Sequence, residues 1–473
     1  MIIKTETLTR QTKKEIDISF QKIKETSIKL RTSSASERID KLKKLKVKIK
    51  NFLPQIEKAL MGDLNKTIVE TNMTEILPTL LELRHTIKHL REWMKPNHTP
   101  KTFLSLTGDG QIICEPKGAV LIISPWNYPF QLAMIPLISA VAAGNSVILR
   151  PSDISVNTTD CIKKITSETF SENEVKVITG DAGVAEYLTT KQFDHIFFTG
   201  STTVGKKVME KAARNLTPVT LELGGKTPAI VHKSANIKDA ARKIAWGKML
   251  NSGQTCIAPD YVIVDEKRKD KFIAQLSNTF VKMMESEKEN LVRIISAKHF
   301  ERIQSITKES LKQGAKCVYG GSFNKKEKRI EPTILTEVTS EMPIMKEEIF
   351  GPVLPIITVK NTKEAIEIIN SRPKPLALYL FSRDKNKSDL IIKQTSSGGG
   401  CINDVIMHYS SEHLPFGGIG QSGTGNYHGY YGFKTFSHER SIFIQGRFDA
   451  KKLLYPPYTK RKEKLTKFIV ERI

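Results

Sequence analysis

Cysteine is scarce in this chain and follows no ligand pattern. Only 5 of the 473 residues are cysteines. They are widely spaced, at Cys114, Cys161, Cys256, Cys317 and Cys401. An odd number of scattered cysteines, without CxxC pairs or Cys/His spacing, argues against both a disulfide framework and a zinc site. We therefore expect a protein of a reducing compartment that holds no metal.

Long apolar runs are also absent. No window approaches the roughly 18 apolar residues that a membrane-spanning helix requires. The first 20 residues, MIIKTETLTRQTKKEIDISF, lack the apolar core of a secretory signal. The expected location is therefore the cytoplasm.

Acidic residues are too few to balance the basic ones. The chain has 74 Lys and Arg against 50 Asp and Glu, a formal net charge of +24, which can indicate nucleic acid or an anionic surface as partner. In KLKKLKVKIK, residues 41–50, Leu42, Leu45 and Ile49 recur at helical spacing, so the lysines fall on the opposite, solvated face. Aromatic residues do not interleave with the basic ones, and no nucleic-acid motif is present. We expect no nucleic-acid partner.

The C-terminal tail, KRKEKLTKFIVERI, combines basic residues with one apolar helical face formed by Leu465, Phe468, Ile469 and Ile473. Such a face suits either docking onto the protein or a weak peripheral contact with a membrane. Docking is the interpretation that we favour.

The order of patterns along the chain predicts an α/β protein. A length of 473 residues suggests two or three domains. Residues 1–95 have helical periodicity, with breaks expected near Pro54 and Gly62. From about residue 117, short apolar runs alternate with helical stretches, which predicts a doubly wound parallel sheet. A second run of such units, from LELGGKTPAIV to LALYLFS, predicts a second α/β domain.

Two glycine-rich loops compete as the site of a dinucleotide. GIGQSG, from Gly418 to Gly423, satisfies the G-x-G-x-x-G fingerprint but does not stand between a strand and a helix, so we interpret it as a structural loop. FFTGSTTVGKK departs from the consensus but follows the strand HIFF and opens a helix. Gly200 and Gly205 there would let phosphate oxygens approach free backbone N–H groups. The alternative is an ordinary turn.

Arg150 and Asp153, in VILRPSD, follow another strand at the edge of the sheet where ligands bind. The carboxylate could accept hydrogen bonds from ribose hydroxyls. A turn residue and a surface arginine are the alternative, which these residues by themselves leave open.

Three separate polar residues are candidates for covalent chemistry. Cys256, in NSGQTC, could be a nucleophile if its pKa is lowered or a base lies close. Asn127 could donate to an oxyanion, and Glu222, in VTLELGG, could be a base. The small residues before Cys256 would leave room around its sulfur. Taken singly, each has a structural alternative: a core cysteine, a turn former and a strand-end acid.

Six strings taken together resemble the NAD(P)-dependent aldehyde dehydrogenase superfamily along nearly the whole chain: PWNYP, GSTTVG, LELGGK, NSGQTC, EEIFGPV and LPFGG. The separation of 34 positions between Glu222 and Cys256 also fits that family. Further strings look like the class 3 and fatty aldehyde dehydrogenase branch, namely KIAWGKMLNSGQTCIAPDY, PLALYLFS, YHGYYGFKTFSHER and YPPY.

The resemblance implies oxidation of an aldehyde, of medium or long aliphatic or aromatic type, to its carboxylic acid through a thiohemiacetal and a thioester. Cys256 would be the nucleophile, Asn127 and the backbone N–H of Cys256 the oxyanion donors, and Glu222 the base that activates water. Tyr128 and Phe416 are candidate walls of the substrate tunnel, and His428 matches a histidine of the class 3 branch. The residues implied to bind the cofactor are Trp126, Arg150, Asp153, Gly200, Ser201, Thr202, Thr203, Val204, Gly205, Gly224, Glu348 and Phe350.

The cofactor implied is NAD, and one departure from the family suggests NADP as well. Where relatives usually read K-P-S-E, this chain has Arg150 and Asp153 around Pro151 and Ser152. Arginine offers planar donors to a phosphate, and the shorter aspartate leaves more room for it.

The fold implied is that of the aldehyde dehydrogenases. Residues 1–97 and 117–224 would form a Rossmann-like NAD(P)-binding domain and residues 225–424 an α/β catalytic domain. Residues 98–116 and 425–473 would form an oligomerisation element and tail, with a homodimer as the expected assembly. Two alternatives remain: a CoA-acylating enzyme of the same fold, which generally lacks the glutamate found here as Glu222, and an inactive basic scaffold that binds membrane or nucleic acid.

Overall fold

The computed structural model describes residues 8–287, 290–449, 451 and 454–472. The first seven residues and Ile473, which was assigned to the apolar face of the tail, lie outside the described residues. The helices of the described part are α1 (Arg10–Leu30), α2 (Ala35–Asn51), α3 (Leu53–Leu64), α4 (Ile68–Thr71), α5 (Leu77–Trp93), α6 (Gln131–Ala143), α7 (Val156–Thr169), α8 (Ala182–Leu188), α9 (Thr202–Ala213), α10 (Ile237–Met249), α11 (Lys269–Glu287), α12 (Ala297–Lys312), α13 (Pro343–Lys346), α14 (Thr362–Asn370), α15 (Lys385–Gln394), α16 (Gly429–Thr435) and α17 (Lys460–Val470).

The strands are short and lie mostly in the central part of the chain. They are β1 (Asn97–His98), β2 (Gly108–Pro116), β3 (Ala119–Ile123), β4 (Ser146–Arg150), β5 (Val175–Val177), β6 (His195–Thr199), β7 (Val219–Glu222), β8 (Pro228–Val231), β9 (Tyr261–Asp265), β10 (Lys316–Tyr319), β11 (Phe323–Asn324), β12 (Arg329–Ile330), β13 (Thr333–Thr336), β14 (Val353–Val359), β15 (Ala377–Phe381), β16 (Gly399–Ile402), β17 (Gly423–Thr424) and β18 (Ser437–Gln445).

A six-stranded sheet in the order β17-β7-β6-β3-β4-β5 forms the first α/β unit. Its strands are parallel except β17, which pairs antiparallel to β7 with Gly423 opposite Glu222. The chain runs from β3 outward to β4 and β5 and then returns to β6, so the strand order reverses between β3 and β6. Ligands of doubly wound sheets bind outside the carboxyl ends of the strands at such a reversal. The loops that follow β3 and β6 are therefore placed for binding.

A second sheet in the order β10-β13-β14-β9-β8-β15-β16 forms the other unit and is parallel apart from β10. A smaller antiparallel sheet, β1-β2-β18, joins residues from the 97–116 region to the C-terminal region. The α/β fold is as predicted. The domain boundaries at 97, 117, 224 and 425 stay predictions.

The helical N-terminal region agrees with the sequence prediction in extent but not in one break. Gly62 lies inside α3, which continues to Leu64 and ends at Asn65 in a left-handed conformation with φ of 59°. Asparagine tolerates this conformation well, and an exposed glycine costs a helix only about 1 kcal/mol. The helix therefore passes Gly62 and stops at the asparagine.

The lysine-rich helix α2 is amphipathic, as predicted. Leu42, Leu45 and Ile49 are fully buried. On its outer side Lys41 and Lys48 form ion pairs with Glu174 and Glu168, so part of the basic excess is neutralised locally.

The expectation that the tail docks onto its own chain is wrong for the described residues. Helix α17 contains no buried residue, and Leu465 and Phe468 are 44% and 51% exposed. The apolar face of this basic helix therefore stays in contact with solvent in the single chain. Among the described residues, no helix combines the length and the apolar character needed to cross a membrane.

Candidate active site

Cys256 follows a backward-turning stretch of backbone after α10. Asn251, Ser252 and Gly253 take left-handed φ values in succession, 52°, 50° and 72°. Each non-glycine residue in this conformation costs of order 1–3 kcal/mol and persists only where its surroundings hold it. The small residues before Cys256, predicted to leave room around the sulfur, therefore also have a second role in forming this turn.

Hydrogen bonds from three directions hold the turn. The backbone N–H of Asn251 donates to Glu70 Oε1 at 2.7 Å, and Ser252 Oγ donates to the Val292 carbonyl at 2.6 Å. Gln254 Nε2 donates to the carbonyls of Asn251 and Arg293. The backbone that leads to Cys256 is thus fixed before any ligand binds.

Asn127 reaches Cys256 from the loop between β3 and α6. Its side chain is buried, and Nδ2 donates to the Gln254 carbonyl at 3.0 Å. In return, Asn251 Nδ2 donates to the Asn127 carbonyl at 2.8 Å. An amide nitrogen carries two N–H groups, so one remains for a substrate oxygen beside Cys256. The structure brings together two loops that are far apart in sequence.

Glu222 ends β7 as a buried acid without a hydrogen-bonding partner. It is 2% exposed, and within the described ranges neither carboxylate oxygen has a protein partner. Burial raises its pKa well above the usual value for glutamate. A carboxyl group whose pKa is raised binds a proton more readily than an ordinary carboxylate, which suits it to exchange protons with a reacting molecule.

The Cys256 thiol is also buried enough to be neutral at rest. Burial raises its pKa, and the nearby carboxylates of Glu348 and Glu222 raise it further, while the backbone N–H groups of Cys256 and Ile257 oppose the rise. The prediction left two routes to an active thiol, a lowered pKa or a nearby base. Because the pKa of the Cys256 thiol is raised and not lowered, the structure favours activation of the thiol by a nearby base.

A cavity of about 810 Å³ leads to Cys256. Tyr128 and Phe416 line it, as predicted for walls of the substrate tunnel, and so does His428. The Tyr128 hydroxyl shares a hydrogen bond with Thr255 Oγ1 at 2.7 Å, which ties this wall to the residue before Cys256.

Much of the rest of the cavity wall is apolar, although Glu70, Glu82, Gln131 and Glu412 also line it, and this wall was not anticipated. Side chains from the α4–α5 region, from α10 and from the 406–409 segment line it, including Val69, Met73, Leu77, Leu81, Leu132, Ile135, Trp246, Met249, Ile406, Met407 and Tyr409. Their sequence pattern is that of ordinary amphipathic helices. Only the packing of these segments around the loop of Asn127 shows that part of each apolar surface faces a cavity.

The glycine loop after β6 has the geometry of a phosphate site. Ser201 caps α9, accepting from the Val204 N–H, and Thr202 Oγ1 donates to the Gln421 carbonyl. Thr203 and Val204 in the first turn are exposed. A Cβ at Gly205 would lie 2.6 Å from a Leu223 methyl, so a larger residue there would force the Leu223 side chain or α9 to shift. Free N–H groups at this helix start face solvent beside the strand-order reversal.

A second group of predicted residues lies around Glu348 and Phe350. The rings of Trp126 and Phe350 meet edge to face with centroids 5.4 Å apart. Glu348 accepts a hydrogen bond from the Gly225 backbone and lies directly against Gly224. Burial raises the Glu348 pKa to about 8. These residues form a partly exposed aromatic and acidic surface next to Cys256.

Arg150 and Asp153 form a third element, at the end of β4 and outside the cavity lining. Arg150 Nη2 donates to Asp153 Oδ1 at 2.9 Å and to the Gly180 carbonyl at 2.6 Å. Its Nε is buried and has no partner in the part of the chain that is described. A spare guanidinium donor, a glycine loop at a helix start and the Glu348 carboxylate together fit the hydroxyls and phosphates of a dinucleotide.

Comparison with known proteins identifies the family of this chain. Residues 4–442 match the model of the aldehyde dehydrogenase family. The 4,4'-diaponeurosporen-aldehyde dehydrogenase of Staphylococcus aureus is 46% identical, over 90% of this chain and 93% of its own. The dimeric NADP-preferring aldehyde dehydrogenase of Rattus norvegicus is 42% identical, over 90% of this chain and 94% of its own. Members A2 and B1 of aldehyde dehydrogenase family 3, from Mus musculus, Rattus norvegicus and two primates, share 40–41% identity over 92–96% of this chain.

One solved structure matches nearly the entire fold. The substrate-bound state of Staphylococcus aureus AldH superposes with a TM-score of 0.92 and 42% identity, covering 96% of this chain and 99% of that one. The fold and family expected from the motifs are thereby confirmed.

Proposed function

The chain belongs to the aldehyde dehydrogenase family and oxidises aldehydes with NAD(P) as coenzyme, and we propose that Cys256, Glu222 and Asn127 carry out that reaction. The observation that supports this assignment is the pair of hydrogen bonds joining the loops of Asn127 and Cys256 beside a buried, unpartnered Glu222. Asn127 and Glu222 thus lie close to Cys256, which lines the cavity.

In the first step, the Cys256 sulfur attacks the aldehyde carbon. A carbon–sulfur bond forms, the thiol proton passes to the Glu222 carboxylate, and the carbonyl oxygen becomes an oxyanion. The free N–H of Asn127 Nδ2 and the backbone N–H of Cys256 donate to that oxyanion. Both donors are preorganised, since the hydrogen bonds between the loops already fix them.

The bound coenzyme supplies a hydride acceptor for the carbon of the thiohemiacetal. The product on the protein is a thioester of Cys256. Once the thiol proton has passed from Glu222 to solvent, the Glu222 carboxylate takes a proton from a water molecule, which attacks the thioester carbon while Asn127 again holds the oxyanion. The carbon–sulfur bond breaks, the sulfur takes the proton back from Glu222, and the carboxylic acid leaves. The raised pKa of Glu222 suits this use as a base near neutral pH.

The coenzyme would lie between the glycine loop and Cys256. Gly200 to Gly205, at the start of α9, would hold the pyrophosphate, with the helix dipole favouring negative charge. Glu348 would bind the nicotinamide ribose, and Phe350 and Trp126 would flank the ring. The close packing of Gly224 against Glu348 supports a fixed carboxylate there.

Arg150 would admit NADP beside NAD. Its guanidinium, at the end of β4, would donate to a 2'-phosphate, while its contact with Asp153 reduces the repulsion that the carboxylate would exert. Steady-state kinetics with both coenzymes would check this, and we expect kcat/KM values within a few hundredfold. A kcat/KM for NADP thousands-fold lower than that for NAD would exclude the idea, because this is roughly the limit of polar discrimination at such a site.

The substrate would be an aldehyde with a large apolar body, either medium to long and aliphatic or aromatic. The apolar lining and a volume of about 810 Å³ support this class. A panel of straight-chain aldehydes should show KM falling as methylenes are added, since each buried CH₂ contributes about 0.8 kcal/mol. A KM that stays flat from short to long chains would contradict the assignment.

The reaction type can be tested by following NADH formation from an aldehyde in the absence of CoA. The wild type should turn over, Cys256→Ser should not, and Cys317→Ser, at an exposed thiol outside the site, should match the wild type. A requirement for CoA would favour the acylating alternative. Activity that survives Cys256→Ser would remove the proposed nucleophile, and an inactive wild type would leave only the binding scaffold.

Further proposals concern assembly and location. We propose a division into a coenzyme domain (1–97 and 117–224), a catalytic domain (225–424) and an oligomerisation element, which the separation of the three larger sheets supports except at β17, whose residues pair with β7. A homodimer through β18 is supported by the exposure of Phe443 and Ile444, at 47% and 48%.

We also propose a cytoplasmic protein whose basic helix α17 makes weak peripheral membrane contact. Co-sedimentation with anionic vesicles should weaken when residues 459–473 are removed, and equal binding by both forms would refute that contact.

A further inference from the structure

A buried ion pair lies behind the loop that carries Asn127. Lys66 and Glu75 are both completely buried, and Lys66 Nζ lies 2.7 Å from Glu75 Oε1. Lys66 follows α3, and Glu75 lies in the π-helical turn Asn72–Ile76 between α4 and α5. Burying each ion costs several kcal/mol, and apolar replacements of similar shape are often as stable or more so. Stability alone therefore gives little reason for this pair.

The pair contacts the Asn127 loop at both ends. Lys66 Nζ donates to the Asn127 carbonyl at 3.3 Å and lies 4.2 Å from the centre of the Tyr128 ring. Glu75 Oε2 accepts from the Gln131 backbone N–H at 3.0 Å. The ammonium group of Lys66 thus contacts both Glu75 and the loop. The two carboxylate oxygens of Glu75 divide these tasks, one holding Lys66 and the other the loop.

The carbonyl that Lys66 contacts is also held from the nucleophile side. Asn251 Nδ2 donates to the same Asn127 oxygen at 2.8 Å, and Glu70 holds the Asn251 backbone N–H. Two donors on one carbonyl fix the peptide plane that follows Asn127. Because that plane sets the Asn127 backbone, it also sets the direction of the side-chain amide.

We propose that Lys66 and Glu75 are positioning residues, which hold the peptide after Asn127 so that the side-chain amide points at the reacting carbonyl oxygen. The proposal rests on the roles assigned above to Asn127 and Cys256, and it gives neither Lys66 nor Glu75 a contact with substrate. π-helical turns occur frequently at functional sites. Here the turn directs Glu75 inward, beneath the loop.

The first test is the double variant Lys66→Met/Glu75→Gln, which removes both charges together and leaves neither ion unpaired. The matched control is Lys41→Met/Glu174→Gln. This salt bridge, in which Lys41 Nζ lies 2.5 Å from Glu174 Oε1, is not part of the site. We expect the double variant to fold with a circular dichroism spectrum like that of the wild type. Its kcat should fall by roughly 10- to 100-fold, as misplacement of about 1 Å can cause, while the coenzyme KM changes less than about threefold. The control should keep its kcat. A double variant with the kcat of the control would overturn the proposal.

The second test asks whether the pair acts through Asn127. Asn127→Ala alone should lower kcat by roughly 100- to 1,000-fold, as for loss of an oxyanion donor. Adding the Lys66/Glu75 changes in that background should lower kcat little further, since the group to be positioned is gone. Losses that multiply would show an effect independent of Asn127 and overturn the inference. Full activity of Asn127→Ala would instead overturn the proposed function.

Should the double variant fail to fold, Lys66→Met alone serves in the same cycle. Burial raises the pKa of Glu75, so its carboxyl can take up a proton once the lysine is removed. The expected and contrary outcomes are the same as for the double variant.

Discussion

Glu82 on α5, at the cavity wall, should make the stability of the protein depend on pH, and Glu82→Gln should remove that dependence. The side chain is 1% exposed, and its Oε1 accepts from the Gly429 backbone N–H at 2.8 Å. Burial, with a smaller contribution from Glu412, raises its pKa from 4.5 to about 7. Glutamine keeps an acceptor for Gly429 but cannot ionise.

The direction of the effect follows from proton binding. The unfolded chain releases the Glu82 proton near pH 4.5, whereas the folded protein keeps it until near pH 7. Between these values the folded state binds more protons, so stability falls as pH rises and levels off above about pH 7. With about 1.4 kcal/mol for each pKa unit, the total is about 3 kcal/mol.

The assay is thermal unfolding of the wild type and Glu82→Gln at pH 4.5 and pH 8. At about 2.1 cal/mol/K per residue, a chain of this length has an unfolding entropy near 1 kcal/mol/K, so 3 kcal/mol corresponds to about 3 °C in Tm. The two proteins should unfold together at pH 4.5, and the variant should be about 3 °C more stable at pH 8. Glu367→Gln, at an exposed position on α14, should show no such difference. An equal gap at both pH values would refute the reasoning.

Three further predictions concern the site itself. Glu222→Gln should lower kcat by roughly 100- to 10,000-fold, the range for a lost general base, with an unchanged Kd for NADH; turnover close to wild type would remove Glu222 from the chemistry. Gly205→Val should weaken NADH binding by at least about tenfold in calorimetric titration, because the added side chain would meet Leu223 and push α9 away from β7. Unchanged affinity would mean that the start of α9 does not bind the coenzyme. Gly253→Ala should destabilise the protein by about 1–2 kcal/mol for the left-handed backbone alone. It should also slow the alkylation of Cys256 by iodoacetamide, because the new methyl group would clash with the Gly351 carbonyl and displace the turn. An unaltered alkylation rate would show that the turn does not position the sulfur.

Local patterns were enough to predict the architecture. The alternation of short apolar runs with helical stretches predicted parallel sheets, because period and element length depend on nearby residues. The position of the glycine loop between β6 and α9 is correct for the same reason. The burial of Glu222 also followed from its apolar strand.

Features that depend on distant contacts could not be read from the sequence. Lys66 and Glu75 look like ordinary charged residues of surface helices, and nothing local indicates that both are buried behind Asn127. The cavity wall likewise combines segments that are distant in sequence. The left-handed turn before Cys256 was missed because only its surroundings make such backbone tolerable for Asn251 and Ser252.

The antiparallel pairing of β17 with β7 has a consequence for protein synthesis. Gly423 sits opposite Glu222, and the Leu223 N–H donates to the Ser422 carbonyl. Roughly 170 residues separate Cys256 from this strand, a span that a ribosome translates in roughly 10–30 s. During that interval the growing chain already contains the thiol, yet the edge that flanks the acid does not exist. Newly made enzyme therefore gains its full catalytic surroundings only after this strand has been made, and until then the thiol exists without them.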